Sequence, residues 1–267
     1  MLGCGPSWGV PRIGGEWGRC DPANPKNRRR RVSILVEDGD ARLLVDTSPD
    51  LRQQLLDANV RGLDAVLFTH PHADHLHGID DLRSVNRLIR KKLPIYADRR
   101  TLNEIHARFG YVLAPIEGVA RHGFYKPELE AIEIDGPFEA AGMAVTPFVQ
   151  DHGFSATLGF RFGRFAYSTD AIRLDEAAFA ALAGIEIWIV DCMRREPHVT
   201  HSHLAQTLDW IARLKPRRAI LTHMDESLDY VTLSRELPPG VSRAMTGWCS
   251  KSDAWPKAWS STFGDWV

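Results

Sequence analysis

Short apolar runs alternate with stretches of helical periodicity along the whole chain. The runs predict strands at Val32–Glu37, Ala41–Asp46, Ala65–Thr69, Met143–Phe148, Ser155–Phe162, Arg164–Thr169, Glu186–Asp191 and Arg218–Thr222. The helical pattern predicts Pro49–Ala58, Ile79–Arg90, Thr101–Phe109, Asp175–Ala183 and His203–Leu214. The last of these carries Leu204, Leu208, Ile211 and Leu214 on one stripe, with Ser202 as its expected N-cap. Strands interleaved with helices mark an α/β or mixed fold. No repeat and no low-complexity linker interrupts the pattern, and no apolar run approaches the ~18 residues of a membrane span.

The strands share a second property: several end in a side chain that can bind a metal. Ala65-Val-Leu-Phe-Thr69 runs into His70, Val145–Val149 leads to His152, Phe165–Thr169 into Asp170, and Arg218–Thr222 into His223. Open α/β sheets place their sites at the carboxyl ends of strands. Leu67-Phe-Thr-His70 and Ile220-Leu-Thr-His223 also resemble each other, as two related halves would.

Composition sharpens this. The chain has 267 residues and a formal charge of −1, which removes the electrostatic case for bulk binding to nucleic acid or to an anionic membrane. Its 4 cysteines form no C-x-x-C pair, so no zinc ribbon and no thioredoxin-type site is encoded. Scattered thiols without a leader segment fit a cytoplasmic protein. Histidine stands out, with 11 residues.

Five of the histidines and two aspartates form the chemical pattern. Thr69-His-Pro-His-Ala-Asp-His75 is an H-x-H-x-D-H motif at the end of a strand. In such a turn His70 and His72 can aim at one point, and Asp74 and His75 at a second one nearby. Nitrogen and oxygen ligands without thiolate suit zinc, manganese or iron. Two cations ~3.5–4 Å apart can clamp the attacking and leaving oxygens of a displacement.

With these residues the chain resembles the metallo-β-lactamase-fold hydrolases, and among them the phosphoribosyl cyclic phosphodiesterase branch. The resemblance covers roughly residues 1–245. It rests on Gly3–Pro11, Leu44-Val-Asp-Thr-Ser-Pro-Asp-Leu-Arg52, His70–His75 with Gly78-Ile-Asp-Asp-Leu-Arg83, Asp151-His-Gly153 with Ser168-Thr-Asp170, and Thr200-His-Ser202 before Leu221-Thr-His223. It implies a four-layer αβ/βα sandwich of two mixed sheets over residues 1–247. It also implies two divalent ions, zinc or manganese: one on His70, His72 and His152, the other on Asp74, His75 and His223, with Asp170 and a hydroxide bridging them. Asp46 is implied to orient ligating histidines, as carboxylates behind metal sites commonly do, and Asp191 is read the same way. His201 and Asp74 are the residues expected to carry the catalytic step, His201 by protonating the leaving group.

The resemblance points to hydrolysis of a small phosphorylated substrate, with no stable nucleic-acid partner and no membrane. Alternatives are a thioester or other ester hydrolase on the same site, a nuclease acting on short nucleic acid, and a non-catalytic metal-binding accessory protein. The RNA-holding arm of the tRNA 3′-end nucleases has no room here, since only 17 residues separate His152 and Asp170. The basic run Arg28–Arg31 reads as a solvated loop or, through Arg28 with Arg52 or Arg83, as a means of capturing substrate phosphate. His77, His106, His122, His198 and His203 read as structural or surface residues. The segment before Cys20 lacks the cysteine cluster of some relatives, so no further structural zinc is expected. Residues 248–267 form a Trp-rich tail with Trp248, Trp255, Trp259 and Trp266, which either packs on its own domain or docks a homodimer.

Overall fold

The computed structural model describes residues 1–116 and 125–247. His122 and the Trp-rich tail lie outside them. Among the described residues, no helix is long and apolar enough to cross a membrane.

The chain forms two mixed sheets. The first comprises β1 (Ile34–Asp38), β2 (Ala41–Val45), β3 (Ala65–Leu67), β4 (Leu93–Ala97) and β5 (Leu129–Glu133), in that order. β1 and β2 form an antiparallel hairpin, and β2 through β5 run parallel. The second sheet comprises β6 (Phe138–Ala140), β7 (Met143–Asp151), β8 (Ala156–Phe162), β9 (Phe165–Tyr167), β10 (Ile187–Asp191), β11 (Arg218–Thr222) and β12 (Val241–Arg243), lying in reverse chain order. β6 to β9 form an antiparallel meander, and β9 to β12 are parallel. The expected sandwich of two mixed sheets flanked by helices is therefore what the chain builds.

Strand alternation sorts the apolar residues into layers. On β2 and β3, Leu43, Val45, Ala65 and Leu67 turn inward against Phe148, Leu158 and Phe160 of the second sheet. Leu44 and Val66 turn outward against α1 (Leu51–Asp57), α3 (Leu82–Ile89) and α4 (Arg99–Phe109), through Leu51, Leu82, Val85 and Ile105. α5 (Glu176–Leu182), α6 (Leu204–Leu214) and α7 (Tyr230–Glu236) join the first of these clusters through Phe179, Leu182, Trp210, Ile211 and Leu233.

Four strands and one helix escape the sequence pattern. β4 contains Pro94, β5 is an edge strand with a mostly exposed Leu-Glu-Ala-Ile-Glu pattern, and β6 and β12 have three residues each. α7 is announced only by its cap, the Asp229 carboxylate accepting from the Thr232 N–H at 2.8 Å. The helix expected over Ile79–Arg90 divides into a 3-10 turn, Ile79–Asp81, and α3. Ser202 does not cap α6; His203 holds that position without a side-chain bond. The Ser202 hydroxyl instead donates to the Asp191 carbonyl at 2.7 Å, a tertiary contact that outweighs the local preference.

The N-terminal 33 residues contribute no strand of either sheet. They lie along the open end of the sandwich, joined by bridges between Gly3 and Ser33, Gly5 and Arg31, and Val10 and Arg29. Arg29 is buried, contrary to the reading of its run as a solvated loop. Its guanidinium donates to the Asp225 carbonyl at 2.7 Å and to the Leu228 carbonyl at 2.5 Å.

A short helix, α2 (Ala73–Leu76), follows the histidine-rich turn and is held against the end of β2. The Thr47 N–H donates to His75 O at 2.7 Å, and the Gly78 N–H to Thr47 O at 2.9 Å. A Cβ on Gly78 would stand 2.1 Å from the Ser48 carbonyl oxygen, which is backbone and cannot move aside. Gly78→Ala is therefore expected to destabilise the protein by about 1–3 kcal/mol, the range for overpacking. Urea unfolding with an unchanged midpoint would contradict this.

Candidate metal centre

The carboxyl edges of both sheets meet at one place. His70 follows β3 after Phe68 and Thr69, while His152, Asp170 and His223 follow β7, β9 and β11. β3 is the central strand of its sheet and β11 an inner strand of the other, so the two similar Leu-Phe-Thr-His and Ile-Leu-Thr-His segments face each other from different layers.

Two sets of side chains converge. One atom from each of His70, His72, His152 and Asp170 lies within 4.8 Å of the others, and the same holds for Asp74, His75, Asp170 and His223. Asp170 belongs to both. Its Oδ2 stands 3.7 Å from the Nε2 atoms of His70 and His152, and its Oδ1 stands 3.1 Å from His75 Nε2 and 3.3 Å from His223 Nε2. Asp74 Oδ2 lies 3.3 Å from His75 Nε2 and 3.6 Å from His223 Nε2. All seven are buried except His72, which opens the cluster to solvent.

For two of the rings the far side fixes the tautomer. His75 Nδ1 faces the Asp46 carboxylate at 2.7 Å, and His152 Nδ1 faces the Thr200 carbonyl at 2.7 Å. Both partners only accept, so both Nδ1 atoms must donate, and the Nε2 lone pairs point inward. Asp46 is held in turn by the Thr69 N–H and hydroxyl, each at 2.8 Å. The Thr69 hydroxyl also lies 3.0 Å from His70 Nδ1. Among the described residues, His70 Nε2, His75 Nε2 and His223 Nε2 are buried with no hydrogen-bond partner. Lone pairs and carboxylate oxygens facing one another out of water are a costly arrangement unless a cation sits among them. The donor set fits a divalent metal.

Without a cation, protons take part of that role. Burial pulls the pKa of His75 down, but Asp170, Asp74 and Asp46 raise it well above the ordinary imidazole value. His223 is pushed up to about 9 against burial, by Asp170, by its bond to Asp74 and by Asp191. Burial raises Asp74 and Asp170, yet the neighbouring histidines leave both well below the usual carboxylate range. His70 is held well below its ordinary value by burial and by the charge of His75.

The backbone is bent to make the cluster. Among the described residues, seven other than glycine have positive φ. Asn59, Arg90 and Lys215 follow helices, and Ala141 turns the β6–β7 hairpin. The other three are Asp46 (64°), Asp170 (55°) and His223 (59°). Left-handed residues cost of order 1–3 kcal/mol each and collect at functional sites.

His201 is adjacent. Its Nδ1 lies 3.5 Å from Asp191 Oδ2 and its Nε2 lies 3.8 Å from Asp170 Oδ2, with its ring stacked on His223 at 4.7 Å. Asp191 also accepts from the Ser202 N–H at 3.1 Å and so fixes the loop that carries His201. Thr69, the Thr200 carbonyl and Ser202 escaped the sequence reading, because nothing in a lone Ser or Thr marks it as a support.

Arg28, Arg52 and Arg83 do not line the cleft beside Asp74. Arg28 lies over the Trp17 ring, 5.1 Å from its centroid, Arg83 approaches Asp80 at 4.0 Å, and Arg52 is exposed on α1. Arg12 and Arg31 instead line a cleft of about 450 Å³ beside Asp74, together with Trp8 and Ile13. Of the remaining histidines, His198 accepts from the Thr200 N–H at 3.3 Å, His77 meets Arg108 at 3.3 Å, and His106 is exposed.

The family model for the Beta-lactamase superfamily domain matches residues 41–224. An octanoyltransferase of Porphyromonas gingivalis is 32% identical over 257 residues, 92% of this chain and 50% of that protein. A ribonuclease Z of Bradyrhizobium is 30% identical over 142 residues, 52% of this chain and 46% of that protein. The chain thus spans about half the length of these curated relatives. A solved diphosphatase from the PhnP family superposes with a TM-score of 0.84 at 32% identity, covering 92% of this chain and 94% of its own. Zinc-bound PqqB from Methylobacterium extorquens shares the fold, with a TM-score of 0.70 at 21% identity over 92% of this chain and 97% of its own.

Two outcomes follow from the geometry. Asp46→Asn keeps the shape but weakens the acceptor behind His75, so metal affinity should fall about 10–100-fold. Chelator competition will measure it. In metal-free protein at pH 7.5, below about 9, His223 carries a proton that a metal must displace. Titration calorimetry in buffers of different ionisation enthalpy should show net proton release at pH 7.5 that declines above pH 9.

Proposed function

The chain belongs to the β-lactamase superfamily, as a metallo-β-lactamase-fold hydrolase, and from that premise we propose that it is a dinuclear phosphodiesterase. Its substrate is a small phosphodiester, cyclic or nucleotide-like. The observation that carries the reading is Asp170, whose two oxygens address two separate ligand sets while His201 stands at the rim of both.

His70, His72 and His152 would hold one divalent ion, Asp74, His75 and His223 the other, and Asp170 both. Zinc and manganese suit these ligands. When bound, such ions supply Lewis-acid charge for phosphoryl oxygens and a water acidic enough to ionise near neutral pH.

The chain's own groups do the rest. Asp46 and the Thr200 carbonyl hold the imidazoles of His75 and His152 in the inward-facing tautomer. Asp191 stands on the Nδ1 side of His201, and Nε2 is directed at the cluster. From there Nε2 can deliver a proton to a departing alkoxide. A net charge near zero is no obstacle, because the phosphate is held by the local cage rather than by the protein surface.

A screen of cyclic and linear phosphodiesters against one thioester, with zinc and with manganese, tests the reading. Hydrolysis of the diesters at two ions per chain is expected. Thioester turnover alone would overturn the phosphodiesterase reading, and failure to bind any ion would favour the accessory alternative. His201→Ala should lower kcat about 10²–10⁴-fold for an alkyl leaving group and much less for p-nitrophenolate, which needs no proton. Equal losses on both would remove His201 as the donor.

A further inference from the structure

The three most exposed large apolar side chains among the described residues are Ile13, fully exposed, Phe154 at 88% and Val199 at 66%. Single apolar residues scattered on a surface are ordinary, but Phe154 and Val199 stand two residues from His152 and His201 in the chain, and Ile13 lines the cleft that contains Asp74. Phe154 follows His152 by two residues, and its N–H donates to the His152 carbonyl at 3.0 Å. Val199 precedes His201 by two residues. Its carbonyl oxygen lies 2.5 Å from where a Cβ on Gly153 would stand, so the two loops abut. Phe154 and Val199 therefore share one stretch of rim, beside the His152 ring that faces exposed His72 at 5.2 Å.

Ile13 lines the cleft that contains Asp74. Trp8, Pro49 and Ala73 line the same cleft. Its two guanidiniums already have partners, Arg12 with Glu226 at 2.5 Å and Arg31 with Asp50 at 3.2 Å. The Trp8 indole N–H is bonded to Glu226 at 2.9 Å, and Arg12 covers the ring at 4.2 Å. Both guanidiniums stand in ion pairs, and Ile13, Pro49 and Ala73 give the cleft apolar walls.

We propose that this rim selects the substrate, and that the phosphoester it admits carries an apolar alcohol or phenol, a ring or short alkyl chain seated against Phe154 and Val199 with Ile13 across the mouth. This rests on the phosphodiesterase reading above and narrows it. A sugar phosphate is polar on every side and leaves these side chains in water. An apolar ester group covers them, and burying roughly 55 Å² of apolar surface corresponds to about tenfold in affinity.

The test is calorimetric binding of methyl, butyl and phenyl phosphate to the metal-loaded protein, and to Phe154→Ser, Ile13→Ser and the double variant. These side chains stand in solvent, and melting curves will check that the variants stay folded. The native protein should bind phenyl or butyl phosphate about tenfold more tightly than methyl phosphate, and the double variant should lose that preference. A preference shared by phenyl and butyl means the rim reads apolar area; one confined to phenyl means it reads a ring. Equal binding of all three by the native protein, or a preference retained in the double variant, overturns the rim alone. If none of the three binds with metal present, the phosphate reading fails and this inference falls with it.

Discussion

The open end of this fold answers to one constraint: five imidazoles and two carboxylates must aim their lone pairs at a common space that water barely enters. The inner atoms can be satisfied by a shared cation or, in its absence, by protons. The outer atoms must be satisfied by the protein. Asp46, Thr69 and the Thr200 carbonyl do this for the histidine rings. Three residues with left-handed backbone, Asp46, Asp170 and His223, turn the chain sharply enough for the ligands to converge. The cost of that turning is met by packing elsewhere, in a core that leaves residues such as Trp188, Phe160 and Leu67 with essentially no exposed surface.

The sheets supply the ligands in two layers, and the chain needs devices to hold the layers in register at the site. The segment after β2 is bonded to the turn after α2, which ties Asp46 to the helix that bears Asp74 and His75. The N-terminal segment performs the same task for the second sheet. Met224, directly after His223, donates its N–H to the Cys4 carbonyl at 2.8 Å, and Arg29 gathers the carbonyls of Asp225 and Leu228. Arg29 thus acts from the interior, and its charge is spent on backbone carbonyls rather than on solvent or substrate.

A contrast runs across the site. In the inner cluster, the rings of His75, His152 and His70 each have a protein group on the far side. The side chains of Ile13, Phe154 and Val199 instead stand in solvent. A fold can keep one reactive centre and change what it accepts by varying such a rim.

Much of the architecture is legible in the chain because its signals are local. Runs such as Ile187-Trp-Ile-Val190 can only be buried strands, and H-x-H-x-D-H concentrates four ligands in six residues. β4, β5 and α7 are not legible, because a proline, an exposed edge pattern and a single capping aspartate carry too little information over so few residues. The same holds for Ser202, whose hydroxyl suits a helix cap as well as it suits the Asp191 carbonyl. Arg28 and Arg31 look alike in sequence, yet one lies over Trp17 and the other lines the cleft. The sequence by itself determined the layered class of the fold, the strand-end placement of the ligands and the identity of the seven that converge. Only the tertiary structure decided which arginines reach the cleft, which groups stand behind the rings of His75 and His152, and that the loops of Phe154 and Val199 abut. Those are contacts between segments far apart in the chain, set by the packing of two sheets against each other, and no local spacing encodes them.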